Sequence, residues 1–380
     1  MNHRDYVRQI DSSGLPGKTD YWHKLHLDPF LLLMLLILNI FALIVLYSAS
    51  DDGIDAIKRQ GSFLLIAYAL LLLLVQLPMH FYRRLSPFFY AAGLFLLVLV
   101  PLIGVGAKGA QRWLELPGLP RFQPAEMMKI AMPMMVAWYL SEKNLPPRFP
   151  HIVVVVLIVL IPAGLVAAQP DLGTSILVAA SGFFVLLLSG LSFWYIGGAV
   201  ALLLGSLPLM WEFVLHDYQK RRVLTLLDPD ADKFGSGWNI LQSKTAIGSG
   251  GWDGKGWLEG TQSQLNFLPE GHTDFIIAVL SEEFGLLGVL FLLLIYLMII
   301  GRGLMIAYTT SSTFNKLVAG SVTLTFFVYV FVNMGMVSGI LPVAGVPLPL
   351  VSQGGTAVVT LMIGFALLMA VATDRTRFSR

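Results

Sequence analysis

Ionisable side chains are scarce in this chain, and several stand where a polar stretch runs into an apolar one. Residues 260–283 read GTQSQLNFLPEGHTDFIIAVLSEE, and the crossing is marked by Glu270, His272, Thr273 and Asp274. A carboxylate at such an edge is partly desolvated, which raises its proton affinity and suits it to general-base work. Asp274 is the candidate for that role. Thr273 or Asp274 also has the type and place of an N-cap for the helix that follows, so capping and catalysis both stand. Glu126 and Lys129 follow Gln123-Pro124 at i, i+3 and share one helical face, with Pro124 suited to the first turn. Charges within a span are costly and commonly face a cavity or substrate path, although a salt bridge near the helix end accounts for the same pattern. Asp171, in Gln169-Pro170-Asp171-Leu172-Gly173-Thr174, either caps the next span or takes part in the chemistry, and the two are compatible. Glu282 and Glu283 lie about 12–13 Å further along the helix than Asp274, where one is expected to pack against a basic partner.

Cations near these carboxylates suit a phosphate leaving group; Arg112 and Lys129 are candidates. So are Arg221 and Arg222, in His216-Asp217-Tyr218-Gln219-Lys220-Arg221-Arg222 ahead of Val223, Leu224, Leu226 and Leu227. This basic cluster beside apolar residues reads equally as an interfacial helix near phosphate headgroups or as a solvated charged face. The run Gly248–Gly256 fails as a phosphate loop, because Ser249 stands where that motif needs Gly and Gly256 replaces its Ser or Thr; it is expected to be a flexible surface loop. His272 has no paired ligand spacing around it. No cofactor is assigned, and a divalent cation held by carboxylates stays open.

The elements that must position these residues are membrane helices. The chain has 380 residues, 56% hydrophobic and 13% charged, about half the charged share of a soluble domain. A net charge of +2 makes no case for nucleic acid. The absence of Cys removes disulfides, thiolate catalysis and Cys-based metal sites. Stretches long enough to cross the hydrocarbon fall at about 30–50, 61–77, 87–106, 124–140, 151–168, 173–190, 193–214, 274–301, 314–341 and 349–372. The expected fold is therefore an all-α polytopic membrane protein, a bundle of about ten transmembrane helices with one long extracytoplasmic loop between spans 7 and 8. The first apolar run is too long for a signal-sequence core and reads as a retained span. Leu341–Gly355, LPVAGVPLPLVSQGG, with three prolines and three glycines, argues for a re-entrant or kinked connection. Thirteen Lys and Arg in the odd-side segments, against five in the opposite short loops, place both termini inside. The expected organisation is a cytoplasmic segment 1–29, spans 1–7 over 30–214, an extracytoplasmic loop 215–273, spans 8–10 over 274–372 and a cytoplasmic tail 373–380. On that topology Arg112, Glu126, Lys129, Asp171, Asp274 and Ser352 all fall on one face, the extracytoplasmic one.

The stretches KGAQRWLELPG (108–118), RFQPAEMMKIAMP (121–133), AAQPDLGTSILV (167–178), 243–288 around LPEGHTDF, and FVNMGMVSGILPVAGVPLPLVSQGG (331–355) closely resemble the shape, elongation, division and sporulation family, in its branch for rod-shaped growth. The resemblance covers nearly the whole membrane portion in order. It implies a peptidoglycan glycosyltransferase of the bacterial cytoplasmic membrane that polymerises lipid II during cell elongation. It also implies a class B penicillin-binding transpeptidase as partner, whose membrane helix docks on the bundle, beside other membrane proteins of the elongation complex. It makes the acid of the HTD triplet, here Asp274, the essential residue, and implicates Glu126 and Lys129 through the FQPxExxK element. The family usually has Tyr where this chain has Gln353 in Ser352-Gln353-Gly354-Gly355, so no Tyr role carries over. Asp274 is accordingly expected as general base, with His272, Glu126, Lys129, Arg112, Asp171, Arg221, Arg222 and Ser352 expected around the substrate. The rival expectation is a lipid II flippase, which would place charge at the midplane and functional residues toward both sides.

Overall fold

The computed structural model of the protein describes residues 25–50, 52–107, 110–115, 121–232, 235–265, 267–268 and 270–374. Most of the expected cytoplasmic segment 1–29 and of the tail 373–380 lies outside the described residues. In chain order the elements are α1 (Pro29–Ala49), α2 (Gly53–Leu74), α3 (Met79–Ile103), a hairpin of β1 (Val105–Ala107) and β2 (Ala110–Trp113), α4 (Pro124–Ser141), α5 (Phe149–Ala168), α6 (Leu172–Leu188) and α7 (Phe193–Leu209). A π-turn, Met210–Val214, extends α7. Then come α8 (Asp217–Leu227), a 3-10 turn (Pro229–Asp232), α9 (Ser236–Gly250), α10 (Thr261–Gln264), α11 (Ile276–Thr309), α12 (Thr313–Val337) and α13 (Gly355–Thr373).

Eight of these are long and apolar enough to cross a membrane: α1, α2, α3, α5, α7 with its π-turn, α11, α12 and α13. Helix α6 is a shorter apolar helix. Helix α4 carries Glu126 and Lys129 yet is buried along most of its length. The protein is an all-α, multi-pass membrane protein. Each expected span falls on a helix, but α2 and α3 begin about a turn or two early, in the charged stretches around Lys58 and Arg83. Lys and Arg are good helix formers, so apolarity marks the part of a helix that lipid covers and not where the helix ends.

Local chemistry sets several ends. Asp28 caps α1, its Oδ1 accepting from Leu31 N at 2.9 Å, with Pro29 in the first turn. Its Oδ2 accepts from Arg302 Nη2 and Nε at 2.5 and 3.0 Å, tying α1 to α11. At the centre of the bundle α4 packs against α3, α6, α12, α5 and α13, and α12 packs against α11, α6 and α13.

Between α7 and α11, in the stretch expected as the long loop between spans, lie the short helices α8, α9 and α10. The flexible surface loop expected at Gly248–Gly256 is overturned. Gly248, Ser249 and Gly250 finish α9, which packs along α11. Helix α11 is broken at Gly285, at φ 62° and ψ −160°, and the segment after α9 fills the break. Leu286 N donates to Gly251 O at 3.0 Å and Leu287 N to Trp252 O at 3.2 Å. In return, Lys255 N and Gly256 N donate to Glu282 O and Glu283 O at 2.9 and 3.1 Å. Backbone freed within a membrane helix must find protein partners, and here the glycine-rich segment supplies them. A Cβ on Gly254 would run into the Glu283 carbonyl, and one on Gly285 into the Gly254 amide. These glycines permit close backbone approach.

Candidate active site

Asp274 sits in a turn, two residues before α11. Thr273 N and Phe275 N both donate to Glu270 O at 3.1 Å, and Thr273 Oγ1 donates to Glu270 Oε2 at 2.8 Å. The first helical residue is Ile276 and the cap position is Phe275, without a side-chain cap bond. Neither Thr273 nor Asp274 therefore caps α11. The reason is competition: with its amide and hydroxyl both turned to Glu270, Thr273 closes the turn instead of opening the helix.

The turn is pinned by the stretch 341–354, which forms a non-helical strap between α12 and α13. Gln353 N donates to His272 O at 3.0 Å, and Ser352 Oγ donates to Thr273 O at 2.5 Å while accepting from Leu348 N at 2.8 Å. Asn333, fully buried on α12, donates through Nδ2 to Asp274 O and Val346 O, each at 2.8 Å. The strap passes close to the carboxylate: a Cβ on Gly345, at φ +68°, would stand 3.8 Å from Asp274 Oδ2. Gln60 of α2 holds the far end, donating to Ser352 O at 3.4 Å and accepting from Gly354 N at 3.3 Å, and Tyr296 of α11 donates to Pro349 O at 2.8 Å. Asp274 itself is half-buried. The structure thus presents a carboxylate partly withdrawn from water, with its backbone fixed from two sides.

Glu126 and Lys129 meet as their spacing predicts, Nζ to Oε1 at 2.5 Å, both buried in the first turns of α4. Lys129 also donates to the Tyr329 hydroxyl and stands 4.6 Å from the centre of that ring. The second oxygen of Glu126 has no hydrogen-bond partner. Tyr329 and Asn333 are four apart on α12, so they share a face about 6 Å apart along the axis. That face links the Glu126–Lys129 pair to the Asp274 turn. Neither residue was singled out from the sequence, although an Asn inside an otherwise apolar span is a signal in itself.

Asp171 does cap α6, its Oδ1 accepting from Thr174 N at 3.2 Å. Its Oδ2 accepts from Gln123 Nε2 at 2.8 Å and lies 3.8 Å from Arg112 Nη1. Arg112, on β2, further donates to the carbonyls of Gln169 and Pro170. The α5–α6 link is thereby clasped by the hairpin and by the residue before α4. Gly173 abuts the Ala344 carbonyl of the strap so closely that no side chain would fit, which brings the start of α6 against the strap that holds Asp274.

Arg221 and Arg222 belong to α8. Arg222 lies over the Tyr218 ring, 5.9 Å away, and Arg221 is exposed on α8, which packs on the 3-10 turn and α9. Glu282 is wholly buried, accepting from Lys255 Nζ at 2.7 Å, Gln262 N at 2.9 Å, Thr261 Oγ1 at 3.1 Å and Ser263 N at 3.2 Å. Lys255 is its expected basic partner. Glu283 accepts from Ser48 Oγ of α1. Among the described residues no group of three or more His, Asp or Glu side chains is gathered as a metal site.

Comparison with known proteins decides the family. The sequence model of the cell cycle proteins FtsW, RodA and SpoVE matches residues 28–377. The chain belongs to that family, the shape, elongation, division and sporulation (SEDS) proteins. Among SEDS relatives it is 51% identical over 365 residues to peptidoglycan glycosyltransferase MrdB of Escherichia coli K12, covering 96% of this chain and 98% of the relative. It is 34% identical to a probable peptidoglycan glycosyltransferase FtsW of Geobacter metallireducens, over 91% of this chain and 94% of the other. Among solved structures it matches, at a TM-score of 0.81 and 29% identity, a chain described for the structural coordination of polymerization and crosslinking by a peptidoglycan synthase complex. That match covers 92% of this chain and 99% of the other. It also matches the rod shape determining protein RodA of Thermus thermophilus at a TM-score of 0.70 and 26% identity, covering 92% and 98%.

Proposed function

We propose that this SEDS protein is a peptidoglycan glycosyltransferase that polymerises lipid II during cell elongation, with Asp274 as its general base. One observation carries the catalytic assignment: Asp274 is the half-buried carboxylate of a turn whose backbone is fixed by Asn333, Ser352 and Gln353. Asp274 takes the proton of the GlcNAc 4-hydroxyl of an incoming lipid II. The freed oxygen attacks the anomeric carbon of the lipid-linked growing strand from the face opposite the pyrophosphate, so an α-linked donor becomes a β-1,4 bond. The bond to undecaprenyl pyrophosphate breaks as the new bond forms, and Arg112 and Lys129 receive its charge. Glu126 and Tyr329 orient Lys129 in that role. Asp171, through Arg112, holds the link beside the strap.

The reaction takes place at the extracytoplasmic face of the bacterial cytoplasmic membrane. This reading is supported by the charge bias of the short loops and by the clustering of Arg112, Asp171, Asp274 and Ser352 along one strap. A class B penicillin-binding transpeptidase is the partner, in keeping with the synthase complex in which a similar chain is found. General-base removal typically costs about 10²–10⁴ in rate. Asp274→Asn in the purified, reconstituted protein should therefore make no detectable glycan from lipid II while binding it as before. Polymer at the wild-type rate from that variant would refute the assignment.

A further inference from the structure

Helix α8 has a face that neither the bundle nor the proposed chemistry uses. Lys220, Leu224 and Leu227 fall at i, i+4 and i+7, and Arg221 lies three before Leu224, so all four share one side of the helix, with the exposed Asp217 of the first turn on the same side. Leu224 is 53% exposed and Leu227 77% exposed, and Arg221 is exposed beside them. On the other side Gln219 is buried, its Oε1 accepting from His216 N at 3.0 Å, and Arg222 is drawn over Tyr218. The two arginines are therefore unlike: Arg222 is engaged within the protein, and Arg221 points away with the leucines.

Chain continuity keeps the start of this helix close to the end of a membrane span. The hydrophobic span of α7 ends at Phe213, itself 80% exposed. Helix α8 begins at Asp217, so its first residue stands within about 14 Å of the span's end even if the link is fully extended. A short helix at that depth, with leucines and cations on one outward side, matches the pattern of interfacial helices, whose apolar residues enter the acyl boundary while the cations stay with phosphates.

We propose that α8 is a membrane-surface anchor whose Lys220 and Arg221 bind the headgroups of bulk anionic phospholipid, with Leu224 and Leu227 inserted beneath them. Anionic headgroups are the matching partner because basic residues beside a span are drawn to a negative lipid surface. The lipid-linked substrate shares the phosphate chemistry, so the two sources must be separated.

The chain has no Cys, which makes a single reporter clean. The full-length protein carrying Leu227→Cys, labelled with an environment-sensitive fluorophore, is reconstituted in nanodiscs of phosphatidylcholine with or without phosphatidylglycerol. No lipid-linked sugar is present, so failure here leaves the glycosyltransferase reading untouched. Phosphatidylglycerol should shift the emission to the blue and increase quenching by headgroup nitroxides. Raised salt, or Lys220→Glu with Arg221→Glu, should abolish that dependence, whereas Arg222→Gln should preserve it. Emission that is the same in both lipids, or a lipid response that survives the double charge reversal, overturns the proposal.

Discussion

Replacing Asn333 tests whether the position of Asp274, and not its presence alone, sets the rate. Asn333→Leu keeps the number and branching of the side chain's heavy atoms and removes both donors, so the carbonyls of Asp274 and Val346 each lose a 2.8 Å hydrogen bond in a fully buried place. An unsatisfied buried polar group costs about 1–3 kcal/mol, so the two together cost roughly 2–6 kcal/mol if nothing moves. Relaxation of the turn relieves that cost. Gln353 N and Ser352 Oγ still hold His272 and Thr273, so the displacement falls first on Asp274, whose carbonyl loses its donor. A shift of about 1 Å in a reacting group costs on the order of 10²-fold in rate, equal to ~2.7 kcal/mol in the barrier. Asn333→Leu should therefore lower kcat about 100-fold and leave KM nearly unchanged, since Asn333 is fully buried behind the turn. The assay is polymerisation of fluorescent lipid II by reconstituted protein, with thermal unfolding run alongside. A folded variant with wild-type kcat would show that the clamp does not position the carboxylate.

Tyr329→Phe keeps the ring beside Lys129 and removes only the hydroxyl, so kcat should fall by about tenfold, in line with a hydrogen bond to a charged group; Tyr329→Leu, which also removes the ring, should fall further in the same assay. Gly285→Ala forces a side chain into a left-handed backbone against the Gly254 amide, and should destabilise the protein by at least about 2 kcal/mol, read as a lower unfolding midpoint. Gln353→Tyr installs the family's usual residue, yet the hydrogen bond to His272 is made by the backbone amide. Its polymerisation rate should equal that of wild type, and a marked change in either direction would give the side chain a task of its own.

The helices were legible because lipid imposes length and apolarity on each segment separately. The same local character made Pro124 and the Glu126–Lys129 spacing informative, since both partners stand on one turn. The proline and glycine content of 341–355 also announced a break in helix. What it could not announce is where each backbone group goes: Ser352, expected at the substrate, has its hydroxyl committed to Thr273 and Leu348, two partners of which one lies 79 positions away in the chain. Glycine content misled in 248–256, where conformational freedom and close backbone approach demand the same residue and only the broken helix opposite distinguishes them.

The capping question at Asp274 shows the same limit acting on a single residue. Thr and Asp before an apolar run satisfy every local rule for an N-cap, and the structure starts α11 at Ile276 because Glu270 O, six residues earlier, draws the amides of Thr273 and Phe275 into a turn. The turn is instead held through its main chain: Asn333 Nδ2 donates to the Asp274 carbonyl, and Ser352 Oγ and Gln353 N donate to the carbonyls of Thr273 and His272. The carboxylate stands beside the strap at Gly345. A general base needs a fixed position, and here groups from α12 and the strap, 59 to 81 positions further along the chain, supply it.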